Sequence, residues 1–341
     1  MTSVHSRTRW LASLGIAIAA VLAVGVSAAP AIAISADAAR GHHDSARISP
    51  ELVREHFRLQ SGRGVTFAPN AKNYAARTNS AAPLLLFLPA TRERPSNYTA
   101  FLATARQSGY HVLALDYWND GKSVQLTCGS DPECYGDVQR NRLDGSHPTQ
   151  FSAVDPANSI KSRLNLAIGH LDTVDPRGGW GKFDSNGTID WSDIVVAGHS
   201  QGGGESAYIS HIHSVLGVLM FSSPVDSDNG VDAAWMSTPG ATPAARMYGF
   251  DDSGDIFADR IRTSWNALGM GSFGAAENVD FGLIGTSHEL ISTMNLGTPM
   301  QSHSFDITDE SPRAADGHHI FATVWKWMLA RVWTGQSIAT S

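Results

Sequence analysis

Ile194-Val195-Val196-Ala197 runs without a break into Gly198-His199-Ser200-Gln201-Gly202, and a helix-length stretch follows at once. This apolar run, tight glycine turn and helix constrain the chain more than any other feature. A continuous apolar strand is what a parallel sheet covered on both faces requires. A sharp strand-to-helix turn has no room for side chains at 198 and 202, hence glycine at both. The same turn throws the Ser200 hydroxyl outward over the carboxyl ends of the strands. The helix N-terminus beneath it favours negative charge as that charge develops. A phosphate-binding loop would need a lysine that this turn lacks. Ser200 is therefore a candidate nucleophile.

The rest of the chain alternates in the same way. Apolar runs predict strands at 84–88, 111–116, 215–221 and 245–250, with a weaker one near 289–293. Phe101, Leu102 and Ala105 recur at helical spacing within 98–108. Ile160, Leu164, Ala167, Ile168, Leu171 and Val174 do so before Asp175-Pro176, and Ile320 to Val332 predicts a final amphipathic helix. Strands alternating with helices indicate an α/β domain over 81–341, with a mostly parallel sheet and helices on both faces. Residues 34–80 read as a linker and edge elements. Residues 117–158, polar and glycine-containing, read as a long loop or small lid inserted into the domain.

Ahead of all this, Arg7 and Arg9 precede an uncharged Ala/Val/Ile/Leu-rich stretch from Trp10 to Ala36, with Ala31-Ile32-Ala33 fitting a small-residue cleavage site. Residues 1–33 are thus expected to be a secretory signal, leaving an extracellular protein with no stable membrane insertion. Export makes the two cysteines readable. Cys128 and Cys134, separated by turn formers, are expected to form a local disulfide. Two cysteines exclude a four-cysteine zinc site, and His211-Ile212-His213 points its two imidazoles to opposite sides of a helix, so neither metal nor cofactor is expected. Net charge is −7, and no block of Lys and Arg exists, which excludes a nucleic-acid-binding surface. Nothing in the pattern specifies an oligomer.

Three pieces together, Leu88-Pro89-Ala90-Thr91, Gly198-His199-Ser200-Gln201-Gly202-Gly203 and His303-Ser304, resemble the α/β-hydrolase family over roughly residues 80–335. The likeness is nearest to secreted bacterial serine esterases and lipase-like enzymes of poorly defined substrate. The resemblance implies the α/β-hydrolase fold and the chain order serine, then Asp or Glu, then histidine. The acid should follow the strand at 245–250, where Asp251, Asp252, Asp255 and Asp259 stand close together. Asp255 is preferred, because a few loop residues separate it from the strand and because the family pattern puts its acid there; Asp252 is next. The histidine should follow the last strand. His303, in the segment 294–316, matches the family's His-Ser element, while His318 and His319 at the start of the final helix are the alternatives and His288 is expected to precede or begin that strand. The oxyanion-binding N–H groups should come from Gln201 and from the loop after 84–88. Pro89 has no N–H, so Ala90 or Thr91 must supply the second.

These residues imply a serine hydrolase acting on carboxylic esters through an acyl-enzyme, the ester being a small molecule, a lipid or a polyester. A peptidase or amidase would use the same three side chains, and a binding module could use the same fold without chemistry. Tyr117, Trp118, Tyr135, Phe151 and Trp235 are aromatics that could line a substrate pocket or pack the lid.

Overall fold

Leu84–Leu88 shows how the sequence builds the molecule. All five residues are buried, and their side chains alternate between two separate apolar cores, as the period of a strand dictates. Leu84, Leu86 and Leu88 face one, and Leu85 and Phe87 the other. The structure, a computed structural model, describes residues 54–60, 64–282 and 285–333. The expected signal segment and residues 34–53 of the linker lie outside them.

Among the described residues nine strands form one sheet: β1 (Glu55–Phe57), β2 (Asn73–Ala76), β3 (Leu84–Leu88), β4 (His111–Ala114), β5 (Ile194–His199), β6 (Gly217–Phe221), β7 (Met247–Asp252), β8 (Glu277–Asn278) and β9 (Glu289–Ser292). Their spatial order is β1-β2-β4-β3-β5-β6-β7-β9-β8. The seven strands from β3 onward run parallel, and β2 is antiparallel to both β4 and β1. This is the α/β-hydrolase fold. Its first two strands come from the segment 34–80 and lie at one end of the sheet, with β1 outermost.

Among the described residues eight α-helices accompany the sheet: α1 (Thr99–Gln107), α2 (Val124–Cys128), α3 (Pro132–Asp144), α4 (Ile160–Val174), α5 (Gln201–Ile212), α6 (Ala258–Ala267), α7 (Pro299–Phe305) and α8 (Ala322–Val332). α1 and α8 bury Phe101, Leu102, Trp325 and Met328 against one face of the sheet, while α4, α5 and α6 bury Leu164, Ile168, Ile209 and Trp265 against the other. Each such side chain contributes about 1.5–3 kcal/mol of hydrophobic stabilisation. Among the described residues no helix is long and apolar enough to cross a membrane.

The insertion is more ordered than a loop. Residues 117–158, read as a long loop or small lid, contain α2 and the thirteen-residue α3. Apolar periodicity missed α3 because much of what it buries is polar, including Gln139, Asn141 and Arg142. Its end signals were nevertheless present. Asp131 caps the helix by accepting from the backbone N–H groups of Glu133 and Cys134, Pro132 opens it, and Gly145 closes it in the left-handed conformation.

Cys128 and Cys134 are bonded and join the end of α2 to the start of α3. A ring this short removes little entropy from the unfolded chain, about 2 kcal/mol in the loop-closure account. Cys128→Ser should therefore lower the melting temperature by roughly 5 °C, measured calorimetrically under oxidising conditions. A loss of tens of degrees would mean that the bridge holds the whole fold.

Candidate active site

The turn after β5 carries Ser200 at φ 51°, ψ −118°, a conformation that side chains other than glycine seldom adopt. Close packing enforces it. A Cβ on Gly198 would lie 2.3 Å from the backbone of Gly202, and one on Gly202 would lie 2.0 Å from the carbonyl oxygen of Leu88. The elbow is thus pressed directly onto β3, which leaves the serine hydroxyl at the mouth of a cleft.

Two further segments bring side chains to this hydroxyl. Asp255 lies in the turn after β7 and His303 in the last turn of α7. The Ser200 hydroxyl is 2.8 Å from His303 Nε2, and His303 Nδ1 is 2.7 Å from Asp255 Oδ2. The other Asp255 oxygen, Oδ1, accepts the Phe257 backbone N–H at 2.6 Å. Burial pushes the Asp255 carboxyl up, but its hydrogen bond and charge interaction with His303 outweigh this and hold it below the usual carboxylate range. All three side chains are almost wholly buried.

The alternatives considered for these places stand elsewhere. Asp251 and Asp252 are the last residues of β7 itself, not of the loop beyond it. Asp252 Oδ1 accepts the Gly254 N–H at 2.9 Å and so shapes the turn that delivers Asp255. His318 and His319 precede the final helix, which begins only at Ala322; His318 is exposed beside Asp316, and His319 packs near Trp325. His288 is stacked between Tyr248 and Phe273. His303 itself sits on a helix where the segment 294–316 read as a loop. The signal for that helix was legible: Thr298 and Gln301 form a capping box around Pro299.

Gln201 opens α5, so its N–H lies in the helix's first turn, where no intrahelical partner exists. The loop after β3 is less symmetric than the sequence suggested. The Ala90 N–H donates to Tyr98 Oη at 3.1 Å and is therefore engaged, whereas the Thr91 N–H has no such partner among the described residues. The Thr91 hydroxyl donates to Gln201 Oε1 at 3.0 Å, linking the two segments that would carry the donors.

Sequence reasoning missed a buried chain behind these groups. His199 Nε2 lies 2.8 Å from the carbonyl oxygen of His303, which can only accept, so this nitrogen carries the proton. His199 Nδ1 then accepts from the Tyr98 hydroxyl at 2.9 Å, and the Tyr98 oxygen accepts from Ala90. Burial, reinforced by the nearby His303, pushes His199 down to about 3, so the imidazole stays neutral. One residue of the elbow thereby ties the loop after β3 to the backbone of His303. Tyr98→Phe leaves the Ala90 N–H and His199 Nδ1 without partners, and should cost about 1–3 kcal/mol of stability while displacing both loops. Thermal unfolding at wild-type temperature would show that the chain carries no strain of this kind.

The cleft has a volume of about 350 Å³. Besides Ser200 and His303 it is lined by Leu126, Phe257 and Met300, with Arg92, Glu93 and Lys122 also on its walls. None of Tyr117, Trp118, Tyr135, Phe151 or Trp235 lines it. Tyr117 and Tyr135 are buried with their hydroxyls bound to the carbonyls of Pro89 and Gly129, and Trp235 packs on Tyr208 and His211. Among the described residues no three side chains capable of holding a metal converge.

No family model matches the chain, and no curated protein matches it. Several solved structures are similar. An acylaminoacyl peptidase from Pyrococcus horikoshii is 11% identical over 83% of this chain and 41% of its own, with a TM-score of 0.45. An S-formylglutathione hydrolase from Agrobacterium tumefaciens is 15% identical over 82% of this chain and 95% of its own, also at 0.45. Carboxyl esterase 2 from the mycorrhizal fungus Tuber melanosporum is 10% identical over 84% of this chain and 89% of its own, at 0.42. This chain thus spans less than half the length of the peptidase.

Proposed function

We propose that this protein is an exported serine hydrolase that cleaves carboxylic esters through an acyl-enzyme. The observation that carries the reading is the unbroken chain from Asp255 Oδ2 through His303 to the Ser200 hydroxyl, with both links under 3 Å and the serine opening on a cleft. Ser200 Oγ attacks the ester carbonyl while His303 Nε2 takes its proton. The ester oxygen gains negative charge and is received by the N–H groups of Gln201 and Thr91, aided by the N-terminus of α5. Collapse of the tetrahedral adduct breaks the bond to the alcohol, which leaves with the proton held on His303. Water, deprotonated by the same nitrogen, then releases the acid and frees Ser200. Asp255 keeps Nδ1–H oriented and stabilises the imidazolium in both halves.

Leu126, Phe257 and Met300 on the cleft wall favour an apolar acyl or alcohol group, as in a small-molecule ester, a lipid or a polyester chain. Export is supported by the basic and apolar N-terminal pattern and by the disulfide, a bond that oxidising compartments preserve. A matched panel of p-nitrophenyl esters and p-nitroanilides tests the reaction class. Turnover of the esters with little of the anilides is expected, and the reverse preference would assign the same site to amide bonds.

A further inference from the structure

Asp255 does not stand alone behind His303. Asp251 and Asp306 are completely buried near it, and the Ser222 hydroxyl lies between those two, 3.4 Å from Asp251 Oδ1 and 3.1 Å from Asp306 Oδ2. One hydroxyl has one proton and can serve only one of the two. Among the described residues no donor hydrogen-bonds to Asp251 Oδ2. A bare carboxylate oxygen in so dry a place is costly, and the side chain of Asp251 shares a hydrogen bond with that of Asp255, which two ionised carboxylates cannot form.

The conflict resolves if one member of the pair is an acid. Asp255 has the better claim to the negative charge, because His303 and the Phe257 N–H both donate to it. We infer that Asp251 holds a proton and donates it to Asp255 as a carboxyl–carboxylate pair, so that Asp251 is a positioning residue that aims the Asp255 carboxylate at His303. The inference rests on the serine-hydrolase reading for its effect on turnover, although the pair itself is a property of the resting protein.

The charged surroundings agree. Asp251 faces Asp255 from the turn after β7, Asp306 from the end of α7 and Arg262 from α6. Burial comes first and pushes Asp251 well above the ordinary carboxyl range; the charge of Asp255 and their mutual hydrogen bond push it further, and only Arg262 opposes. Asp306 is pushed up for the same leading reason, whereas Asp255 is held down.

Asp251→Leu fills similar space without a donor, and Asp251→Asn restores a neutral donor of the same shape. Asp251→Leu should lower kcat by roughly ten- to a hundredfold with KM little changed, whereas Asp251→Asn should return it to within about threefold of wild type. The proton resonance of the His303 Nδ1–H, read in the resting protein, should shift in Asp251→Leu and persist in Asp251→Asn. Wild-type activity should fall at alkaline pH as Asp251 gives up its proton, and Asp251→Asn should abolish that fall. Asparagine as damaging as leucine would show that the charge of Asp251 is needed, and leucine at wild-type turnover would show that its donor is not; either overturns the inference. Should Asp251→Leu fail to fold, identical alkaline profiles for wild type and Asp251→Asn would overturn it on their own. Esterase activity that survives in Ser200→Ala would instead sink the hydrolase reading and leave the resonance test standing.

Discussion

Replacing Ser200 with alanine should lower kcat for ester substrates by at least about 10⁴-fold, equivalent to some 5.5 kcal/mol of transition-state stabilisation. Without the hydroxyl no acyl-enzyme can form, and the residual rate would come only from a cleft that binds substrate and two N–H groups that polarise its carbonyl. The fold should not notice the change. Ser200 sits at a positive φ that alanine tolerates no better and no worse than serine, and the turn is held by its backbone, with the Ser200 N–H donating to the Phe221 carbonyl at 2.9 Å. Among the described residues the hydroxyl's one side-chain partner is His303, which keeps its second hydrogen bond to Asp255. Melting temperature should therefore stay close to wild type while labelling by a fluorophosphonate disappears. A folded Ser200→Ala protein that still turns over esters near the wild-type rate would remove the serine from the mechanism.

The parts of this molecule that could be read in advance are those whose chemistry is local. β3, β5 and β6 are short apolar runs that no polar surface could accommodate, and the glycines around Ser200 answer to contacts made within the turn and with the adjoining strand. α3 was hidden because three of the seven side chains it buries are polar, two of them satisfied by partners far along the chain: Gln139 donates to Asp226 and Arg142 to Glu205. The Tyr98–His199 hydrogen bond spans 101 residues, and neither side chain announces the other. Tyr98 reads as the start of a helix, and His199 as an unspecified position within the elbow motif. The run Asp251, Asp252, Asp255 shows the limit most clearly. Spacing could rank the three but could not divide their tasks. The division arises from strand alternation and burial: Asp252 serves the turn, Asp255 meets the imidazole, and Asp251 is enclosed with Asp306 and Ser222.

His303→Ala should lose on the order of 10³-fold or more in kcat, because serine, histidine and acid act as a unit. His318→Ala and His319→Ala should each stay within about twofold of wild-type kcat, since His318 is an exposed surface position and His319, though buried, lies on the segment ahead of α8. His318 is exposed beside Asp316, and His319 packs against Trp325, so neither imidazole bears on the serine hydroxyl. The pH profile sharpens the comparison. A general base must be neutral to accept the serine proton, so kcat/KM of the wild type should decline on acidification. Asp255 does not share in that decline. Burial raises its carboxyl, but the hydrogen bond from His303 and the charge interaction with it hold it below the usual range, so it remains anionic on acidification. The acid limb should therefore report one group. In His303→Ala that limb should vanish, and the residual rate should instead climb with hydroxide concentration. An unchanged acid limb in His303→Ala, with activity lost in His319→Ala, would transfer the role of base to the segment ahead of α8.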